Sequence, residues 1–175
     1  MERMIEIRRL SADEARAHLR ELAEVLVDCV EGGASVSFMA SFSRDDGFVF
    51  FEKVAAGVEA GERVLLAAFD DGRLIGTVQM ITALPPNQPH RADVAKLLVH
   101  RSARGRGVGE ALMNAVDDEA RREGKSLLVL DAVTGGDGAR LYSRLGWVEV
   151  GSIPNYALYP DGRFCATTYF YKEVR

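Results

Sequence analysis

Apolar positions along this chain switch repeatedly between a spacing of three or four residues and short alternating or continuous runs, and each switch marks an element. Met4 to Leu10 predicts a first strand. Ser11 followed by Glu14 has the form of a capping box, and Ala15, Leu19, Leu22, Ala23, Leu26 and Val30 then keep one apolar face until Gly32-Gly33. His18 falls among charged neighbours on that helix, and a solvated face is its expected place. Residues Ala34 to Arg44, rich in Ser, Phe and Met, have no clear period. A second helix, about Asp46 to Ala60, is built on Phe48, Phe51, Val54, Ala55 and Val58 and ends at Gly61. Phe38, Phe42, Phe48, Phe50 and Phe51 are candidates for a pocket lining, with core packing the plainer reading.

Arg63 to Phe69 and Leu74 to Thr82 read as strands around the hairpin turn Asp70-Asp-Gly-Arg73. Leu84-Pro-Pro-Asn-Gln-Pro-His90 is too rich in proline for anything regular. Val94 to Val99 predicts a buried central strand, followed by a basic loop with Gly105, Gly107 and Gly109. Behind the loop, Leu112, Met113, Val116 and Ala120 stand at helical spacing, and this helix ends near Arg121-Arg-Glu-Gly124. Ser126 to Leu130 is a short strand covered on both faces, closed by Asp131. A short helix through Ala139, Leu141, Tyr142 and Leu145 follows. Two closing strands, Trp147 to Ile153 and Ala166 to Val174, are expected to be joined by a long loop, Pro154 to Phe164. No repeat or linker divides residues 1–175, so one domain is expected.

The strand–loop–helix at residues 94–120 carries the candidate chemistry. Glycines let the backbone approach a ligand closely, and the helix start adds partial positive charge, which together suit a phosphate. A Walker loop requires Lys-Ser/Thr after its last glycine, which is absent. A dinucleotide fingerprint, G-x-G-x-x-G, places its third glycine one position later than Gly109, although Asp131 closing the next strand keeps that reading open. A plain glycine turn with solvated arginines is the remaining alternative. The pattern that fits without adjustment is R-x-x-G-x-G, Arg104 to Gly109.

Composition narrows the partners. The chain has 175 residues, is 47% hydrophobic and carries a net charge of −4. An acidic total disfavours duplex nucleic acid, while the local cluster Arg101, Arg104 and Arg106 suits a small polyanion. The two cysteines, Cys29 and Cys165, have no metal-type spacing, so no metal is expected and a reducing compartment is. The start Met1-Glu-Arg-Met-Ile-Glu-Ile lacks a leader's apolar region, and no run approaches membrane-spanning length, so a cytoplasmic protein without membrane contact is expected.

Arg104 to Gly109, preceded by Val99, closely resembles the acyl-CoA pyrophosphate loop of the GNAT superfamily of N-acetyltransferases, and the order of elements is similar across nearly the whole chain. The family's second signature, Asn followed seven residues later by Tyr and then Gly-Phe, is matched by Leu141-Tyr142 and Gly146-Trp147, but Gly135 stands where the Asn is expected. Gly151-Ser-Ile-Pro-Asn-Tyr156 with Tyr159-Pro-Asp-Gly162 is similar to a narrower group, the tabtoxin-resistance acetyltransferases. The resemblance implies an α/β (α+β) GNAT fold: a mixed, mostly antiparallel seven-stranded sheet with helices on both faces. It implies acetyl-CoA as acyl donor and direct transfer, in a ternary complex, to the amine (or a hydroxyl) of a small toxin-, antibiotic- or amino-acid-like acceptor. A protein N-terminal or lysine acetyltransferase and a non-catalytic acyl-CoA sensor are the alternatives, and a homodimer is the commonest assembly.

By that resemblance the backbone N–H groups of Arg104, Gly105, Arg106, Gly107, Val108 and Gly109 take the diphosphate, and Arg104 and Arg106 contribute charge either to the diphosphate or to the ribose phosphate. Backbone groups of Leu98 and Val99 would bond the pantetheine arm, and an N–H of one of them the developing oxyanion. An alkylammonium near pKa 10 is about three units from its free base at pH 7, roughly 4 kcal/mol, so a base or water relay is needed. Asp131 is the candidate base or amine-orienting group, with capping of the following turn as its structural alternative. Tyr142 is the candidate general acid for the leaving thiolate. Tyr156, Asp93 and Lys96 are candidates for shaping the acceptor pocket, and His100 is placed near the diphosphate.

Overall fold

The computed structural model describes residues 4–175; the reading of Met1, Glu2 and Arg3 as part of a leaderless start lies outside the described residues. Seven strands form one sheet in the order β1-β2-β3-β4-β5-β7-β6. They are β1 (Ile5–Leu10), β2 (Arg63–Asp70), β3 (Arg73–Ile81), β4 (Arg91–Val99), β5 (Leu127–Val133), β6 (Val148–Leu158) and β7 (Phe164–Glu173). Among the described residues only the β4–β5 pair is parallel. The helices are α1 (Ala12–Ala17), α2 (Leu19–Glu31), α3 (Arg44–Glu59), α4 (Val108–Arg122) and α5 (Asp137–Arg144). The expected mixed sheet with helices on both faces is therefore present.

Alternation along β2 shows how both faces are filled. Leu65, Ala67 and Phe69 pack with Leu22, Leu26, Phe51 and Val54 of α2 and α3. Val64, Leu66 and Ala68 face the other way, into a core with Leu112, Met113 and Val116 of α4. A strand buried on both sides has no polar face to show, which is why β2 reads as a continuous apolar run. Asp71 (φ 51°) and Gly72 (φ 79°) give the β2–β3 hairpin two consecutive left-handed residues, as a type I′ turn requires.

Several boundaries differ from the sequence expectation. The first helix breaks at His18, whose ring stacks edge-on against Phe69 at 5.2 Å and bonds Glu21 at 2.8 Å instead of facing solvent. The Ser11–Glu14 capping box forms as expected, with both bonds made at 3.1 and 2.7 Å. A second box, Ser43–Asp46, starts α3 at Arg44, ahead of the expected Asp46. Asp131 does not end β5; the strand continues to Val133, paired with β7. Finally, the long loop expected at residues 154–164 is mostly strand. Pro154 has no N–H to give a ladder, and β6 absorbs it in an irregularity between Ile153 and Ala157, with Asn155 at φ 54°. The connection to β7 is a short turn closed by Tyr159 N to Arg163 O at 2.8 Å.

Candidate functional site

The β4–β5 ladder joins only Arg91, Ala92 and Asp93 to Leu127, Leu128 and Val129, and beyond that point the strands part. In the β3–β4 ladder the register slips by one residue between Thr77 and Gln79, which leaves an extra residue near Lys96 (φ 56°). This is a β-bulge, and it bends β4 out of the sheet plane. Side chains show the slip: Ala92 and Val94 face the α4 core, whereas beyond the bulge Leu97 and Val99 do. A cavity of about 1130 Å³ occupies the opening, walled by residues 94–99 and 130–133, the glycine loop, α5, and Tyr156 to Tyr159.

The glycine loop forms one wall. Gly105 (φ 73°) and Gly107 (φ 76°) hold left-handed conformations that would strain any residue with a Cβ. Gly107 caps α4 with no side-chain bond, and the first amide bonded there is Ala111 N, to Gly107 O at 3.0 Å. Among the described residues the backbone N–H groups of Gly105 to Glu110 have no acceptor. Amides left without partners at a helix start form an anion site. A diphosphate therefore fits this loop, as the sequence predicts.

Of the residues expected to touch that ligand, Leu98, Val99, Arg104, Gly105, Gly107, Val108 and Gly109 line the cavity and Arg106 does not. The Arg106 guanidinium instead bonds Asp70 at 2.9 Å, on the β2–β3 hairpin. The Val108 side chain is 2% exposed, in the core, so its amide is what the ligand can meet. Register separates Leu98 from Val99. His100 N bonds Ile75 O at 2.9 Å, and antiparallel alternation turns the Leu98 amide toward β3 as well. The amides of Leu97 and Val99 then face the opposite edge, toward the cavity. His100 lies away from the lining; its Nδ1 caps the turn Arg101–Ala103 through Ser102. Asp28 at the end of α2 anchors that turn, accepting from Arg101 N at 2.9 Å and from the Arg101 side chain.

The facing wall gathers the ionisable groups. Tyr142, on α5, is 7% exposed and packs against Trp147 and Phe170 at 5.9 Å. Burial, with Asp131 adding to it, pushes its pKa up to about 12. Its hydroxyl has no hydrogen-bond partner among the described residues, and the residue lines the cavity. Asp131 lines the same cavity and accepts from Thr167 Oγ1 at 2.8 Å, so it caps no turn. Directly opposite Asp131 on β7 stands Tyr169, its hydroxyl 2.8 Å from that of Tyr156. That bond, then burial and the Asp131 charge, push Tyr169 up to about 12. Lys96, at the bulge, bonds Ser37 Oγ at 2.9 Å. Asp93 is paired with Arg91 instead of opening into the cavity.

Sequence reasoning missed Ser37, Thr167 and Tyr169. None belongs to a motif, and only strand register and the fold of segment 32–43 bring them here. That segment roofs the cavity: Ser35 Oγ donates to Leu158 O at 2.7 Å and Ala40 N to Pro160 O at 3.1 Å. The candidate pocket phenylalanines do not line it. Phe51 is in the core with α2 and α3, and the half-buried Phe38, Phe42 and Phe50 pack against it, Phe38 stacked on Phe42 and edge-on to Phe50, which meets Phe51 edge-on. Both cysteines do line it, with burial pushing the Cys29 thiol up.

Comparison with known proteins gives a consistent result. The chain is 30% identical over 116 residues to an uncharacterised N-acetyltransferase encoded in the hisH–hisA intergenic region of Azospirillum brasilense, covering 65% of this chain and 67% of that protein. Its fold is similar to an N-acetyltransferase from Staphylococcus aureus Mu50 (TM-score 0.81, 16% identity, 98% and 99% of the two chains). It is similar too to a putative acetyltransferase from Salmonella typhimurium solved with its cofactor acetyl-CoA (TM-score 0.80, 20% identity, 98% and 95%). The model of the acetyltransferase (GNAT) family matches residues 19–147, which hold the bulged strand, the glycine loop and Tyr142. The chain belongs to the GNAT family of acetyltransferases.

Proposed function

We propose that this GNAT acetyltransferase moves the acetyl group of acetyl-CoA to the primary amine of a small molecule, directly and without an acyl-enzyme. One observation carries the reading: unpartnered loop amides at residues 105–110 share a cavity with Tyr142 and Asp131. Acetyl-CoA would supply the acetyl group as a thioester, its diphosphate on those amides and its pantetheine arm along the free edge of β4. The Leu97 and Val99 amides on that edge are the donors for negative charge developing on the thioester oxygen. Tyr142, neutral up to about pH 12, holds the proton needed by the departing thiolate. Asp131, steadied by Thr167, orients the acceptor amine and takes its proton, directly or through water.

The roof at residues 32–43, bonded to the β6–β7 turn, favours a small acceptor over a protein chain, which needs an open groove. Gly151 to Tyr156 and Tyr159 to Gly162 are similar to the tabtoxin-resistance group, which favours a toxin- or amino-acid-like acceptor. Free cysteines favour the cytoplasm as the site of action; among the described residues no helix is long and apolar enough to cross a membrane. Free-thiol release from acetyl-CoA with a panel of amines, amino acids and aminoglycosides tests the proposal. Acceptor-dependent release, lost in Tyr142→Phe while calorimetry still detects acetyl-CoA, is the expected result. Acetyl-CoA binding with no release for any acceptor would leave a sensor domain instead.

A further inference from the structure

Four residues other than glycine hold positive φ among the described residues: Ser37 (81°), Asp71 (51°), Lys96 (56°) and Asn155 (54°). Asp71 is explained by its hairpin turn, and Asn155 by the irregularity in β6. The other two are joined to each other: Lys96 Nζ bonds Ser37 Oγ at 2.9 Å, and both residues line the cavity. Left-handed conformations cost of order 1–3 kcal/mol each in residues with a Cβ, and they persist where the surroundings impose them. Here the bulge in β4 and the roof segment impose them from opposite sides, and the result is one ammonium group fixed at the acceptor wall.

That ammonium is underused. An ammonium has three donors, and Ser37 is the one hydrogen-bond partner Lys96 has among the described residues. No carboxylate lies within ion-pair distance of it among them. Burial pushes its pKa down while the Asp131 charge opposes that shift. The other cations of the lining, Arg104, Arg140 and Arg144, belong to the glycine loop and α5. Arg140 is already bonded to Asp137 and to Gly135 O. A partly desolvated cation with spare donors, in a cavity, gains most from an anion that reaches it.

We propose that Lys96, held by Ser37, binds an anionic group of the acceptor, so that the acceptor is an amine that also carries a carboxylate or a group of similar charge. Asp131 then receives the amino end and Lys96 the acidic end of one zwitterionic molecule. This rests on the acetyltransfer reading above and adds to it the residue that would read the acidic end of an amino-acid-like acceptor. Lys96 is a specificity-determining residue and takes no part in proton transfer.

The experiment uses matched acceptors: α-amino acids, their amides, and the amines left when the carboxyl group is removed, each assayed by thiol release from acetyl-CoA. Wild-type protein should favour the acids. Lys96→Met should lower kcat/KM for the acids roughly 10- to 100-fold, the range for a lost charged hydrogen bond, and leave the amides and simple amines within about threefold. Lys96→Arg should recover part of the loss. Calorimetry with acetyl-CoA alone should give the same affinity in all variants. Equal use of acids and amides by the wild type, release with no acid at all, or a Lys96→Met defect shared by every acceptor would each overturn the inference. Those results leave acetyltransfer intact wherever an amine is acetylated, whereas failure to bind acetyl-CoA would remove the reading beneath it.

Discussion

The two walls of the cavity are built on different principles. The donor wall is local: one stretch from Leu97 to Glu110 supplies it, mostly through backbone amides that any sequence with glycines at 105 and 107 can present. The acceptor wall is assembled from Ser37, Lys96, Asp131, Tyr142, Tyr156 and Thr167, with Tyr169 behind it bonded to Tyr156; they come from six separate segments and act through side chains. A main-chain site tolerates change in side chains and fixes one ligand. A side-chain site assembled from distant segments can change one residue at a time, and so can change its substrate without disturbing the donor.

Substitutions on the two walls should therefore separate binding from chemistry. The largest effect is expected at Tyr142→Phe. Its ring contacts with Trp147 and Phe170 survive, and no protein partner is orphaned, because the hydroxyl has none among the described residues. Loss of a positioned general acid typically removes roughly 10²- to 10⁴-fold of rate, so kcat should fall in that range while acetyl-CoA affinity stays constant. Steady-state kinetics with calorimetry checks this; a matching loss of affinity would put Tyr142 in the donor wall instead.

The reciprocal change is Gly105→Val together with Gly107→Val. Each valine would take a backbone held at φ 73° or 76°, where L-residues lose roughly 1–2 kcal/mol. No neighbouring atom lies within 4 Å of the place either new Cβ would occupy, so crowding adds nothing. Two such costs, about 2–4 kcal/mol, correspond to a loss of roughly 30- to 1000-fold in acetyl-CoA affinity if the loop must regain its shape to bind. Calorimetry should show that loss; unchanged affinity would mean that these amides do not hold the ligand.

The same contrast explains what was legible in the sequence. Element order and the glycine loop were readable because each depends on neighbours in the chain: the capping box at Ser11, the Asp71-Gly72 turn, the apolar run of β2. Tyr142 was singled out through the family resemblance around Gly146-Trp147, and the structure shows it lining the cavity. The break at His18 was not, since its cause is Phe69, far along the chain on β2. Nor were Thr167 and Tyr169, whose nearness to Asp131 follows from β5–β7 register. The expected loop at Pro154 failed for a related reason: β7 pairs with β6 on both sides of the proline and carries the strand past it.

Alkaline stability gives a smaller effect, confined to the acceptor wall. Burial raises the Tyr142 pKa from an ordinary 10 to about 12. The unfolded chain ionises first, so the stability tied to the neutral phenol is fully present below about pH 10 and is lost as pH rises through about 12. Two pKa units correspond to roughly 2–3 kcal/mol. Urea unfolding at about pH 9 and about pH 12 should show wild type losing more stability than Tyr142→Phe by most of this amount, with the other titrating groups common to both proteins. Equal losses would mean that the phenol ionises in the folded protein as readily as in water.

The smallest effect is expected where sequence and structure disagree about the donor wall. The resemblance gives Arg106 a charge for the diphosphate or the ribose phosphate, yet its guanidinium is tied to Asp70 at 2.9 Å and lies outside the cavity lining, whereas Arg104 is part of it. Arg106 is partly exposed but the Asp70 side chain keeps only 10% of its surface open, so the pair matters more to folding than a fully exposed one. Arg106→Ala should therefore change acetyl-CoA affinity less than about threefold and cost roughly 1–3 kcal/mol in stability, as for a buried charged group that loses a partner. Arg104→Ala, which removes a charge from the wall itself, should weaken acetyl-CoA by roughly 10-fold or more, as expected for a lost charge-assisted bond. The loss at Arg104 should shrink as salt rises, because the arginine is open to solvent. Should Arg106→Ala prove the more damaging of the two, the arginine must leave Asp70 when acetyl-CoA binds, and the donor wall would be completed by its ligand instead of standing ready for it.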